Sequence, residues 1–149
     1  CMADITIRPL ELSDNAEWRR LWTLYLEFYE TKVSEDVYRF TWQRLFEKGE
    51  FEPKGLLAIV DGKPVGLVHY LYHRSCWAIA NNCYLQDLFA APEVRGTGVG
   101  RALIEAVHAS AARTGVSNVY WMTHETNTVG RRLYDRIARR TGFIEYDML

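Results

Sequence analysis

Apolar and polar positions along this chain fall into a few periods. Between Asp4 and Leu10, Ile5, Ile7 and Pro9 alternate with Thr6 and Arg8, the period of two that marks a half-buried strand. Trp18, Leu21, Trp22, Tyr25, Phe28 and Tyr29 then recur at i, i+3, i+4 and i+7. One face of a helix from about Asn15 to Glu30 is therefore apolar and aromatic. Ser13 and Asp14 are its N-cap candidates. Ser34 is the cap expected for a second helix, with Glu35 and Asp36 in the first turn, where the dipole favours negative charge. Val37, Phe40, Thr41 and Leu45 are its expected inward face, and Gly49 to Gly55 reads as a linker.

Leu56 to Val60 and Val65 to His73 are expected to pair across Asp61-Gly62, a dipeptide favoured in two-residue hairpin turns. Ser75 to Asn81 is a loop and Asn82 to Ala91 a strand. A helix opens after Gly98, with Val99, Leu103, Ala106, Val107 and Ser110 on one face, and stops near Gly115. Asn118 to His124 is a further strand. Asn127 and Thr128 cap a last helix to about Arg140, and Gly142 to Met148 is expected to close the sheet. The order β-α-α-β-β-β-α-β-α-β describes one mixed α/β domain over residues 1–149. It is antiparallel in its first half, with a strand-helix-strand unit in the second, and carries no internal repeat.

Composition narrows the class. The 149 residues fit one domain with a real core. With 48% hydrophobic and 25% charged residues, disordered, collagen-like and disulfide-rich chains drop out. No stretch approaches the ~20 apolar residues of a membrane span, and Ile5 to Leu10 is too short and polar for a signal-peptide core. A net charge of −1 argues against a general nucleic-acid binder. Cys1, ahead of Met2, is set aside. Cys76 and Cys83 share no C-x-x-C spacing and have too few neighbouring ligands for zinc. No metal is expected, and a reducing cytoplasm is the default compartment.

The sharpest chemical signal is Arg95-Gly96-Thr97-Gly98-Val99-Gly100-Arg101, which follows a strand and opens a helix. Its glycines let the backbone turn tightly and let a ligand approach the main chain. The first amides of the helix have no internal partner and suit an anion, so the segment has the form of a phosphate cradle. A P-loop would need Lys after Gly100, and a dinucleotide fingerprint would need a different glycine spacing and position.

Tyr84 to Gly100, with Arg95-x-x-Gly98-x-Gly100 inside it, resembles motif A of the GNAT superfamily of acetyl-CoA-dependent N-acetyltransferases. Glu125-Thr126-Asn127 followed by Leu133-Tyr134 resembles motif B, and the element order is also the GNAT order. The likeness leans toward the small branch with polyamine, thialysine and fungal histone/polyamine acetyltransferases. It rests there on Tyr84-Leu85-x-Asp87-Leu88-Phe89, Trp121-x-Thr123-x-Glu125-x-Asn127, Phe28-Tyr29 and Thr41-Trp42.

The resemblance implies an α/β GNAT fold: a mixed, mostly antiparallel sheet of six to seven strands flanked by four helices. It implies acetyl-CoA as acetyl donor, held by the amides of Gly96, Thr97, Gly98, Val99, Gly100 and Arg101. The main chain of Leu88, Phe89 and Ala90 would hold the pantetheine arm, and Asn127 would contact the coenzyme. Arg95 and Arg101 are candidates for phosphate charge. Tyr134, seven residues past Asn127, is the expected general acid toward the leaving thiolate. An N–H near Phe89 would polarise the thioester carbonyl.

Gln86 stands where polyamine acetyltransferases carry a Glu, so a direct base there is lost. Strand alternation is expected to point Asp87 to the other face, leaving Glu125, His124, His69 or a water chain as substitutes. Glu27, Glu30, Tyr25 and Tyr29 would form a substrate wall suited to a cationic amine, with Gln86 and Glu125 beside it.

The implied activity is direct transfer of acetyl to a small polyamine-like or amino-acid-like primary amine. The alternatives are a protein lysine or histone-tail acetyltransferase and a non-catalytic acyl-CoA-binding module. A homodimer is expected from the family, with no nucleic acid or membrane partner. The net charge of −1 also conceals a division. Glu11 to Glu52 carries ten acids and six bases, whereas Glu93 to Arg140 carries four acids and eight bases. The basic half holds the phosphate cradle and the acidic half the amine wall.

Overall fold

The computed structural model describes residues 4–149. Five strands form one sheet in the order β1-β2-β3-β4-β5: β1 Ile5–Pro9, β2 Lys54–Val60, β3 Lys63–His73, β4 Asn82–Ala90 and β5 Val119–Tyr120. The first four are antiparallel neighbours, and β5 runs parallel to β4. Helices α1 Asn15–Phe28 and α2 Glu35–Arg44 come before β2. Helix α3 Val99–Arg113 joins β4 to β5, and α4 Thr128–Ile137 follows. Short 3-10 turns at Leu12–Asp14 and Pro92–Val94 lead into α1 and the glycine loop.

Local chemistry sets most of these bounds. Asp61 and Gly62 both have positive φ (51° and 75°), as a two-residue turn between twisted strands requires. Ser34 Oγ accepts from the Val37 amide and caps α2. Gly115, at φ 80°, ends α3. Asp14 sits at the start of α1, but its carboxylate accepts from Arg8 and from the Glu11 amide instead of capping that helix.

The sheet carries a core on each face. Under α3, Val68, Tyr70, Leu85, Val99, Leu103 and Val107 are buried together, with Leu133 and Ile137 of α4 packed against them. Under α1 and α2, Trp18, Leu21, Leu45, Leu57, Leu67 and Phe89 form the second core. A Cβ on Gly66 of β3 would lie 2.8 Å from Val99 Cγ1 and 3.1 Å from Leu103 Cδ1. The missing side chain is what lets the first turns of α3 seat on the sheet.

Several features depart from the sequence reading. The sheet has five strands, not six to seven, because Gly142 to Met148 forms no strand. Past Ile137 the chain leaves extended at Ala138 and finds no neighbouring strand among the described residues. Strand propensity without a partner fixes no strand, and Phe143, Ile144, Tyr146 and Met148 stand exposed. Helix α2 turns Tyr38 and Leu45 inward, while Val37 and Phe40 are over 40% exposed. Tyr38 shares a hydrogen bond with Thr23, and Trp42 packs on Trp18 at 5.0 Å between ring centroids, so the aromatic pairs set the helix's rotation.

The third departure is in β4. His69 pairs with Asp87, but Tyr70 pairs with Leu85, so Gln86 is a one-residue bulge. Cys83 and Leu85 face the α3 core before it. After it, Phe89 faces the α1 core, and Asp87 reaches Tyr25 of α1. Simple alternation would have kept all four on one face.

Candidate active site

The site begins where two strands part. Only Cys83 and Tyr84 of β4 pair with β5, at Val119 and Tyr120. Asn118 to His124 was the expected extent of that strand; beyond Tyr120 it diverges. The outer edge of β4 from Leu85 to Ala90 therefore has no strand beside it, with the Ala90 carbonyl met by Arg95 Nε, while its inner edge stays bonded to β3. Leu88, Phe89 and Ala90 line the mouth of this split, and an open strand edge can pair with an extended, amide-bearing arm.

At the end of the open edge stands the glycine loop. Gly96 and Gly98 have φ of 80° and 95°, and a Cβ at either would meet nothing within 4 Å. Gly98 is the N-cap of α3 in the left-handed region, and its carbonyl accepts the first helical bond, from Ala102. The amides of Val99, Gly100 and Arg101 donate to no backbone carbonyl, so three donors point out of the helix start. Thr97 differs from its neighbours, because its amide and hydroxyl both turn onto the Val94 carbonyl. The split edge and the loop together fit a ligand with an amide-bearing arm and a phosphate-bearing end, as coenzyme A has.

The flanking arginines are partly engaged. Arg101 Nε donates to Glu105, one turn along α3. Arg95 folds back over the Phe28 and Phe89 rings, with its guanidinium carbon 5.4 and 5.9 Å from their centroids, and donates to the Ala90 carbonyl.

On the α1 side the cleft has an aromatic wall. Trp22 stacks on Tyr25, with centroids 5.0 Å apart and an angle of 14° between planes. Tyr25 meets Tyr29 edge-on at 5.0 Å, and Tyr29 meets Phe28 at 5.1 Å. Trp22 Nε1–H is buried with no partner among the described residues. Across the sheet, Tyr84 stacks on Tyr120 at 5.0 Å. Beneath the wall, Asp87 accepts from Tyr25 Oη (2.8 Å) and from His69 Nδ1 (3.0 Å), while His69 Nε2 accepts from Trp18 Nε1 (3.0 Å). Both His69 nitrogens are thus committed, and this residue is not a free base. His124 holds Thr126 through Nδ1.

Tyr134 of α4 lies on the far side of the split, half-buried and edge-on to Trp121 at 5.5 Å. Burial, with Tyr29 nearby, pushes its phenol up to about 12, so it keeps its proton across the neutral and mildly alkaline range. Asn127 makes two side-chain hydrogen bonds within the chain. Its Oδ1 accepts from the Gly130 amide as the α4 cap, and its Nδ2 donates to Thr123. Glu27, Gln86 and Glu125 are exposed, and the Glu125 carbonyl accepts from Arg131. Among the described residues, no group of three or more metal-binding side chains occurs and no helix is long and apolar enough to cross a membrane.

Comparison with known proteins agrees with this architecture. The profile of the acetyltransferase (GNAT) family matches residues 17–138. The D-amino-acid N-acetyltransferase HPA3 of Saccharomyces cerevisiae is 32% identical over 144 residues, covering 95% of this chain and 89% of that protein. The thialysine N-epsilon-acetyltransferase of Caenorhabditis elegans is 25% identical over 83 residues, covering 56% of this chain and 51% of that protein. Among solved structures, the aminoglycoside acetyltransferase AAC(6')-Iy in complex with a bisubstrate analogue shares the fold, with a TM-score of 0.85, 16% identity and 99% of each chain covered. With the match spanning most of its length and the split sheet and glycine loop in place, the chain belongs to the GNAT family and is an acetyl-CoA-dependent N-acetyltransferase.

Proposed function

We propose that the acceptor is a small primary amine, amino-acid-like or polyamine-like, acetylated by direct transfer in a ternary complex. The observation that carries this reading is the junction of three surfaces at the split between β4 and β5. A loop with open amides lies at one end, a protonated tyrosine on one side, and an aromatic wall with a carboxylate on the other. Aromatic faces and carboxylate charge attract a cationic amine. The similar yeast enzyme, named for D-amino acids, points to the same size of acceptor.

In this reading the neutral amine attacks the thioester carbonyl; the C–N bond forms, the C–S bond breaks and the sulfur leaves as a thiol. The amides of Gly96 to Arg101 hold phosphate. Thr97 contributes least, since its donors already serve Val94, and Arg95 and Arg101 add charge beside the loop. The main chain of Leu88 to Ala90 holds the pantetheine arm, and an N–H near Phe89 polarises the carbonyl. Tyr134 gives its proton or a hydrogen bond to the departing sulfur. Asn127 contacts the coenzyme, and its cap on α4 helps set Tyr134. Glu27, Tyr29, Gln86 and Glu125 line the acceptor's approach.

The cytoplasmic placement rests on thiols that are free, Cys76 exposed and Cys83 buried. The homodimer rests on the exposed apolar run through Phe143, Ile144, Tyr146 and Met148, which a second copy would shield. Tyr134→Phe tests the acid. kcat falls roughly a hundredfold or more, while the acetyl-CoA Kd stays within about twofold of wild type. Unchanged turnover refutes the assignment.

A further inference from the structure

The bulge at Gln86 leaves one carboxylate in a distinctive setting. Asp87 is 14% exposed in its side chain, and each of its oxygens accepts one hydrogen bond from within the chain. Indole nitrogen only donates, so Trp18 Nε1–H fixes His69 Nε2 as an acceptor. His69 therefore carries its proton on Nδ1 and donates it to Asp87. A second proton on the ring would set donor against donor at Trp18. Trp18 is fully buried and His69 is 3% exposed, so this relay is built into the core.

Asp87 nevertheless lacks a permanent countercharge. Among the described residues no Lys or Arg lies within ion-pair distance of it. A carboxylate can take about four hydrogen bonds and two are made. A half-sealed anion without a cation is costly to hold. Its negative charge also bears on Tyr29 and Tyr84, which places it beneath the wall and beside the split. The missing partner is cationic, and aromatic faces line its approach.

We propose that Asp87 is the anchor for the acceptor's ammonium group, and that Trp18 and His69 are positioning residues that aim its carboxylate. The inference rests on the reading of this cleft as the site of a primary-amine acceptor. Asp87 binds and orients the alkylammonium form and undergoes no bond change. The proton that the amine must lose passes to solvent.

The test uses the full chain and two versions of its best amine acceptor. One is the parent amine. The other carries fluorines beside the nitrogen, so that it is uncharged at the assay pH. Asp87→Asn raises KM for the charged amine roughly tenfold to a hundredfold. For the uncharged one it changes KM by less than about threefold, with the coenzyme A Kd unmoved. Trp18→Phe raises KM for the charged amine several-fold and leaves kcat within about twofold. If Asp87→Asn does not fold, Trp18→Phe carries the same comparison on the two amines. Equal losses on the two amines, or an unchanged KM for the charged one, overturn the anchor. A wild-type protein that acetylates no small amine overturns the parent reading instead, and the anchor falls with it.

Discussion

Gly98→Ala separates the glycine loop's part in folding from its part in coenzyme binding. At φ 95° the residue is in the left-handed region, and an added Cβ would meet nothing within 4 Å. The penalty is therefore backbone strain, about 1–2 kcal/mol. At roughly 2–4 °C per kcal/mol for a chain of this size, the variant melts roughly 2–8 °C lower and stays folded. Coenzyme A at about a hundred times its Kd stabilises the wild type by about 2.7 kcal/mol, a rise of roughly 5–11 °C. The methyl group stands on the loop's open side and turns its amides out of line. A tenfold weaker Kd cuts the ligand's contribution to about 1.4 kcal/mol, and a hundredfold weaker one to about 0.4. Thermal melts with and without coenzyme A read both effects. Gly115→Ala is the control, since that residue has φ 80° and equally open surroundings but sits past the other end of α3. It loses similar stability and keeps the full coenzyme shift. A Gly98→Ala protein that also keeps the full shift refutes the phosphate cradle.

Gly66→Ala, read by thermal melting, destabilises by about 1–3 kcal/mol through overpacking, because the new methyl meets Val99 and Leu103 of α3 at 3.1 Å or less. Alkaline pH acts through Tyr134, held up to about 12, and Tyr25, raised by burial and by Asp87. Unfolded tyrosines lose their protons near pH 10, while these two keep theirs in the fold. The unfolded chain thus binds fewer protons above that pH, and stability falls as pH rises further. Chemical denaturation at pH 9 and above checks the direction. While the protein stays folded, kcat shows no loss from Tyr134 ionisation near pH 10, and a folded enzyme that titrates off there contradicts the buried phenol.

Much of this was legible in the sequence because short-range chemistry decided it. The Asp61-Gly62 turn, the Ser34 cap, the Gly115 stop and the loop after β4 each follow from a few adjacent residues. The inward face of α2 was not legible. Residues 37, 40, 41 and 45 and residues 38, 42 and 45 fit the helical period equally well, and the choice fell to long-range contacts of Trp42 with Trp18 and Tyr38 with Thr23. Strand propensity at Gly142 to Met148 was real but had no partner strand among the described residues. The largest miss was Asp87. Its signal lay in the apolar pattern of β4: Cys83, Leu85, Leu88 and Ala90 share the α3 side only if one residue is skipped. That phase slip is the Gln86 bulge, and it moves Asp87 from the expected face to the α1 side, against Tyr25. His69, expected as a candidate base, has both nitrogens committed to that same carboxylate and to Trp18.

The proposed activity is acetyl transfer to a small primary amine. The most direct test follows release of free coenzyme A from acetyl-CoA across a panel of D- and L-amino acids, polyamines and a histone-tail peptide, with mass spectrometry of the products. Small primary amines turn over and gain an acetyl group on nitrogen, with the peptide far slower. Turnover on the peptide alone, or coenzyme A binding without release of thiol for any amine, would contradict it.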